Sequence, residues 1–256
     1  MERFYIRSEQ IDQESAVLDG DEARHALTVK RLKQGSDIVL FDGKGKEYFG
    51  IIKDVTTVKH SGKTNKKILI DIKSVNTNPN DTNISITLVC VLPKKNRMDL
   101  IVQKGTELGL DRLIPALSAR SVVRPKDEKG RRNHRERWHR IAIEAGKQCG
   151  RCFLPAIDDI TNINEILLKA REYDLALFAA LSPDVLDLKE VFDKTRKADK
   201  QISSVIIFIG PEGDFDSDEV ALAEDCGCEI VSLGNLVLKV DTAAFYLMSV
   251  LKYEFK

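Results

Sequence analysis

The chain has 256 residues, 43% of them hydrophobic and 31% charged, and its 40 basic and 40 acidic side chains give a formal net charge of zero. This is the make-up of a globular protein long enough for one large domain or two small ones, and the balanced charge excludes a molecule that binds polyanions over its whole surface. No apolar run approaches the roughly 20 residues of a membrane span, and "MERFYIRSEQ" lacks the apolar stretch of a secretion signal, so the expectation is a cytoplasmic protein.

Residues 1–75 read as β-rich. "RFYI", "SDIVLFDG", "EYFGIIKDV" and "KKILIDIKSV" are short β-branched or aromatic runs bounded by Gly, Asp and Lys. Between the first two, "DEARHALTVKRLKQG" predicts one short helix ended by Gly35. A small barrel with one helix fits this pattern. Residues 76–83, "NTNPNDTN", form a polar, turn-rich linker.

From residue 84 to 256 strands and helices alternate. "ISITLVCVL" is continuously apolar, as a strand buried on both faces should be. It is followed by a helix in "RMDLIVQKGTELG", a strand "RLIPAL", a long basic helix around "RERWHRIAIEAGKQ", "FLPAI", a helix near 161–171, "DLALFAA", "SVIIFIG", a helix from about Ser217, "EIVSL" and a last helix from about Asp241. The alternation predicts an α/β domain with a mostly parallel, helix-covered sheet. Ligands of such sheets bind outside the carboxyl ends of the strands. The loops "LSPD", "GPEGDF" and "LGNLVLK" therefore converge on one rim.

Several chemistries fail on spacing. A calcium loop starting at Asp214 needs Gly at its sixth position and Glu at its twelfth, but Glu219 and Asp225 stand there. There is neither a phosphate-binding P-loop nor a dinucleotide fingerprint. Asp216 or Ser217 instead caps the following helix, with Glu219 in its first turn. Cys149 and Cys152 have redox spacing but close a helix rather than open one, and Cys226 with Cys228 lacks the gap of a zinc pair. The five cysteines read as reduced packing residues, and no metal is expected. Between Arg112 and Arg151 twelve basic residues stand against four acidic ones, a hint of nucleic-acid contact as much as of a solvated helix face. Trp138 and His25 read as packing residues.

"KKNRMDLIVQKGTELG", "RSVV", "EAGKQCGR", "IGPEGDFDSDE" and "SLGNLVLKVDTAA" occur in the order and spacing of the RsmE family of ribosomal-RNA small-subunit methyltransferases, within the SPOUT superfamily, and the chain resembles that family over nearly its whole length. The resemblance implies a PUA-like RNA-binding β-barrel domain at 1–75 and a SPOUT-type α/β domain at 84–256 whose C-terminal segment threads a trefoil knot. It implies a homodimer, S-adenosylmethionine as cofactor, and methylation of N3 of a uridine in small-subunit ribosomal RNA, with assembled or partly assembled subunits as substrate. The alternatives are another knotted methylase, acting on ribose 2′-oxygen or on transfer RNA, and a non-catalytic RNA-binding relative.

Carried over by motif, the cofactor loops are Leu181, then Ile209, Gly210, Pro211, Glu212 and Gly213, then Leu233, Gly234, Asn235, Leu236 and Leu238. Arg151 would hydrogen-bond a uracil oxygen, and Glu212 and Asp241 are candidate bases for the N3 proton, with capping or turn-holding as their other reading. Arg3, Arg24, Arg31, Arg120 and Arg124 would meet RNA phosphates. The chain departs from the family pattern in three places. Asp214 and Asp216 stand where the family reads Gly and Ser, Leu236 and Lys239 replace two arginines and Asp241 a glutamate, and Cys149 replaces a serine.

Overall fold

A computed structural model describes residues 1–60, 63–78, 83–181, 185–199 and 201–255. Two units divide the chain: residues Met1–Asn80 with Gly146–Leu154, and residues Asp81–Ala145 with Pro155–Lys256.

The first unit holds β1 (Glu2–Tyr5), β2 (Ser15–Leu18), the one-turn helix α1 (Gly20–Arg24), β3 (Asp37–Phe41), β4 (Lys46–His60) and β5 (Lys63–Thr77). The strands lie in the order β1-β3-β4-β5-β2, antiparallel except for the parallel β1–β3 pair. Phe4, Ile38, Leu40, Ile52, Ile68 and Ile70 point to one face and form its core. The expected helix up to Gly35 is shorter. A π-helical turn, His25–Val29, follows α1, and Arg31 then enters left-handed backbone at φ 55°, which no helix continues. His25 packs edge-on against Phe4, as a packing residue should. β5 runs on to Thr77, two residues into the predicted linker, whose residues 79–82 lie outside the described ones.

The second unit holds β6 (Ser85–Val91), α2 (Arg97–Glu107), β7 (Arg112–Leu117), α3 (Glu128–Cys149, its last turn in the first unit), β8 (Ala156–Ile157), β9 (Thr161–Asn162), α4 (Ile163–Leu167), β10 (Leu175–Ala179), β11 (Leu186–Asp187), α5 (Leu188–Lys197), β12 (Ser204–Ile209), α6 (Ser217–Asp225), β13 (Glu229–Ser232) and α7 (Val240–Glu254). The sheet order is β11-β13-β10-β12-β6-β7-β8, with β9 also on β7, and every pair is parallel. Alternate residues of β6 serve opposite faces: Leu88 and Cys90 pack with α2 and α7 through Ile101 and Leu247, while Val89 and Val91 pack with α4 and α6 through Ile166 and Ala223. That two-sided burial is why the strand reads as unbroken apolar sequence. Trp138 of α3 is buried in the same core. All five cysteines are free.

At the amino end of the sheet, Asp174 fixes the β10–β12 register. Its Oδ2 accepts from the backbone N–H and the hydroxyl of both Ser203 and Ser204, at 2.7–3.0 Å. Among the described residues no helix is long and apolar enough to cross a membrane.

Candidate active site at the strand carboxyl ends

β10, β12 and β13 are neighbours, so the loops leaving their carboxyl ends meet. They enclose a cleft of about 250 Å³ lined by Ala179–Leu181, Ile209–Glu212, Asp214, Leu233, Gly234, Leu236–Val240, Ala243 and, from α2, Arg97. The predicted residues Leu181, Ile209, Gly210, Pro211, Glu212, Leu233, Gly234, Leu236 and Leu238 line this cleft together. Gly213 and Asn235 sit in the same loops but not on its wall.

Each loop is shaped by identifiable contacts. After β12 the chain turns at Pro211–Asp214, where the Asp214 N–H donates to the Pro211 carbonyl at 3.0 Å. Phe215 drops into the core, its ring 4.1 Å from that of Phe178. A Cβ at position 210 would lie 3.0 Å from the Phe215 ring, so glycine lets the backbone lie close over it. After β13, Gly234 adopts φ 107°, and its N–H donates to the Ser232 hydroxyl at 3.2 Å. Leu236 and Val237 then project at 77% exposure each, leaving apolar side chains at the mouth.

The aspartates behind the turn have separate duties. Asp216 caps α6, accepting the Glu219 N–H at 2.8 Å, while Glu219 accepts the Asp216 N–H at 3.1 Å: the predicted cap closed into a reciprocal box. Glu219 also accepts the Ala119 N–H at 2.8 Å and so anchors the loop after β7. Asp214 instead reaches across the rim, its Oδ2 accepting the Leu181 N–H at 2.9 Å.

Charged groups cluster at one end of the cleft. Asp241, in the first turn of α7, pairs with Arg97 of α2 at 3.2 Å. Glu212 accepts the Lys94 N–H at 3.2 Å. The thiol of Cys90, fully buried at the end of β6, is held far above its ordinary pKa, first by burial and then by the negative charges of Glu212 and Asp241. Arg97, Asp214, Val237 and Lys239 line the cleft without having been named from the sequence as cofactor or catalytic residues. Arg97 and Lys239 fall within the quoted motifs, but nothing in a linear motif says that α2 and α7 bring their first turns together.

The other expected residues are dispersed. Arg151 is in the first unit and 5% exposed, its carbonyl accepting from Arg3 Nη2 at 3.1 Å. Arg3 is committed inside the fold, paired with Glu47 at 3.1 Å and lying over the Phe41 ring. Arg24 and Arg31 are exposed. Arg120 and Arg124 are exposed too, but both brace loops: Arg120 donates to the Gly213 carbonyl at 2.8 Å and Arg124 to the Ser118 carbonyl at 3.1 Å. Much of the basic stretch is neutralised locally. Arg112 pairs with Asp158, Arg135 with Asp159, Arg137 with Asp99 and Lys147 with Glu22. The acids lie outside the stretch in sequence, so its charge looked larger than it is.

A family model described as an RNA methyltransferase domain matches residues 80–252, and one described as an RNA methyltransferase PUA domain matches residues 18–57. Ribosomal RNA small subunit methyltransferase E of Bacillus subtilis is 29% identical, over 99% of this chain and 97% of its own. The protein of the same name from Mycobacterium bovis is 31% identical, over 90% of this chain and 82% of its own. Among solved structures, Ribosomal RNA small subunit methyltransferase E from Neisseria gonorrhoeae, bound to S-adenosyl methionine, superimposes with a TM-score of 0.78 at 26% identity, covering 99% of this chain and 97% of that one. A Legionella pneumophila protein solved with the bound cofactor SAM gives 0.83 at 28% identity, covering 98% and 96%. A parallel α/β unit with a cleft at its strand ends, preceded by a small β-rich unit, is thus matched from end to end, and the chain belongs to the RNA methyltransferase family of the ribosomal RNA small subunit methyltransferase E type.

Proposed function

We propose that this protein transfers a methyl group from S-adenosylmethionine to N3 of a uridine in small-subunit ribosomal RNA, acting in the cytoplasm on assembled or partly assembled subunits. The observation that carries the reading is the cleft itself, built by the loops that the family motifs mark. Its features suit the cofactor: apolar walls at Leu181, Ile209 and Leu238 for a base, backbone brought close at Gly210 and Gly234, and carboxylates for polar groups. When bound, S-adenosylmethionine supplies an electrophilic methyl carbon on a sulfonium. The protein's own work is to position the uracil in line and to manage the N3 proton. Glu212 is our candidate for holding that proton, since its carboxylate faces the cleft and is engaged by a backbone N–H. Asp241 is already balanced by Arg97, and the pair sets the two helix starts that wall the cleft. Lys239 supplies positive charge toward the uracil anion. Arg151, being buried, is given a bracing role in its own unit.

The sheet order supports the further reading that the C-terminal segment is knotted: β12 and β13 follow one another in the chain yet flank β10 on opposite sides. Exposed Leu236, Val237 and Tyr246 support a homodimer formed on this segment. Incubation with methyl-labelled cofactor and small subunits lacking the native mark tests the function. Label recovered in N3-methyluridine by nucleoside mass spectrometry is the expected result. Label on ribose, label only on transfer RNA, or no label despite cofactor binding overturns it.

A further inference from the structure

β4 and β5 continue as a pair beyond the sheet that holds them. β3 pairs with β4 only as far as Ile51, and β2 pairs with β5 only from Ile68 onward. Five rungs, from Thr56↔Lys67 to His60↔Lys63, are therefore paired with each other alone among the described residues. At about 3.4 Å per residue they make an arm roughly 17 Å long. A register shift between Ile52 and Asp54 marks its base; such bulges bend a strand and increase its twist, and so set the direction in which the ribbon leaves the sheet. The successive residues Thr56 and Thr57 are both exposed, as are Lys66 and Lys67. Successive side chains point to opposite faces, so at these two rungs both faces of the ribbon reach solvent.

A two-stranded ribbon gains little stability from its own packing, and its unpaired edges invite other strands. Its composition is also unlike the rest of the chain. Residues 55–70 contain Lys59, His60, Lys63, Lys66 and Lys67 and no acidic residue, in a protein whose formal net charge is zero. The matches to the family models end at residue 57 and resume at residue 80, so all of the arm but Thr56 and Thr57 lies outside both.

We propose that the β4–β5 arm is an RNA-contacting element whose exposed Lys66 and Lys67 meet phosphates of the ribosomal RNA around the modified base. The proposal rests on the reading of ribosomal RNA as substrate. Lysines on a free ribbon have one other use, keeping an unpaired edge from pairing with another chain. That use is served by charge of either sign, whereas this arm carries one sign only, the sign that releases counterions from a polyanion. A ribbon two strands wide also reaches into grooves and junctions that a sheet face cannot enter.

The test is filter binding of the full-length protein to naked small-subunit ribosomal RNA across a salt series, for wild type, the double variant Lys66→Gln/Lys67→Gln, and Lys73→Gln, an exposed lysine of the same strand inside the sheet. The double variant is expected to bind about tenfold more weakly. The slope of log affinity against log salt should become shallower by about 1 to 2, at roughly 0.7–0.9 per phosphate contact. Lys73→Gln and the calorimetric affinity for S-adenosylhomocysteine should stay unchanged. An unchanged slope, an equal loss in Lys73→Gln, or self-association of the double variant with RNA affinity intact would each overturn the proposal. Binding is read without turnover, so an inactive wild type would sink the proposed function and leave the arm's role still measurable.

Discussion

The Asp214 carboxylate accepts the Leu181 N–H at 2.9 Å, tying the loop after β12 to the loop after β10 across the mouth of the cleft. It does so from left-handed backbone, φ 59°, a region that Asp enters more readily than most residues. Three substitutions separate backbone from side chain. Asp214→Gly suits the backbone and removes the tie; Asp214→Asn suits both; Asp214→Ala removes the tie and adds strain of about 1–2 kcal/mol. Affinity for S-adenosylhomocysteine, measured by calorimetry, is expected to fall in the Gly and Ala variants and hold in Asn. The melting temperature should fall most for Ala.

Glu219 is 5% exposed and satisfies two donors, the N–H groups of Ala119 and Asp216. Asp216 is its partner in the box, so the two side chains act as a unit. Glu219→Ala leaves both donors without the carboxylate; Ala119 is exposed and Asp216 half-buried, so water replaces part of each bond and the loss is about 1 kcal/mol for each. Glu219→Gln keeps one acceptor oxygen and should cost about half as much. Urea unfolding at equilibrium checks the ranking, and the Asp216→Ala/Glu219→Ala double variant should lose less than the sum of the single losses.

The strand–helix alternation, the start of α6 at Ser217 and the meeting of the three cleft loops were legible because each follows from local pattern: buried runs, caps and loops at strand ends; the individual wall residues came from the family resemblance. Failures came where distance in sequence hides a contact. α5 went unpredicted although Asp187 and Glu190 form a capping box, because its apolar residues are few and its charges many. Arg3 read as a phosphate ligand because Glu47 and Phe41 are remote in sequence. Asp214 carried no site role in the sequence because nothing in "GDFDSDE" says that one aspartate turns back toward Leu181. Residues 146–154 group with the front unit through such contacts as Leu154 N–H to the Gly43 carbonyl, which no composition shift announces.

Asp174 makes the β10–β12 contact sensitive to acid. Hydrogen bonds from the Ser203 hydroxyl and N–H, then the Ser204 hydroxyl, hold its carboxyl at about 2, below the ordinary 3.8. A carboxylate whose folded pKa is depressed adds stability that is complete above the unfolded value and is lost as pH falls through the folded one. The β10–β12 register should therefore weaken between about pH 4 and pH 2. Asp174→Asn keeps the shape and removes the charge. Its urea midpoint should lie below wild type at pH 7 and converge on it near pH 2. A constant gap across that range would show that the charge is not what Ser203 and Ser204 recognise.

Glu212 lines the cleft, whereas Asp241 reaches it only through its pair with Arg97, and that difference predicts different kinetics. Asp241 has a guanidinium 3.2 Å away, which keeps it occupied, whereas Glu212 has a backbone N–H and an open face. If the N3 proton passes to Glu212, Glu212→Gln lowers kcat by roughly 10²–10⁴, the usual range for a general base. The loss should fall mainly on kcat. Asp241→Asn leaves Arg97 without its partner and loosens the starts of α2 and α7. It should raise the cofactor KM and lower thermal stability with kcat largely retained. A kcat loss of that size in Asp241→Asn, with kcat retained in Glu212→Gln, would exchange the two roles.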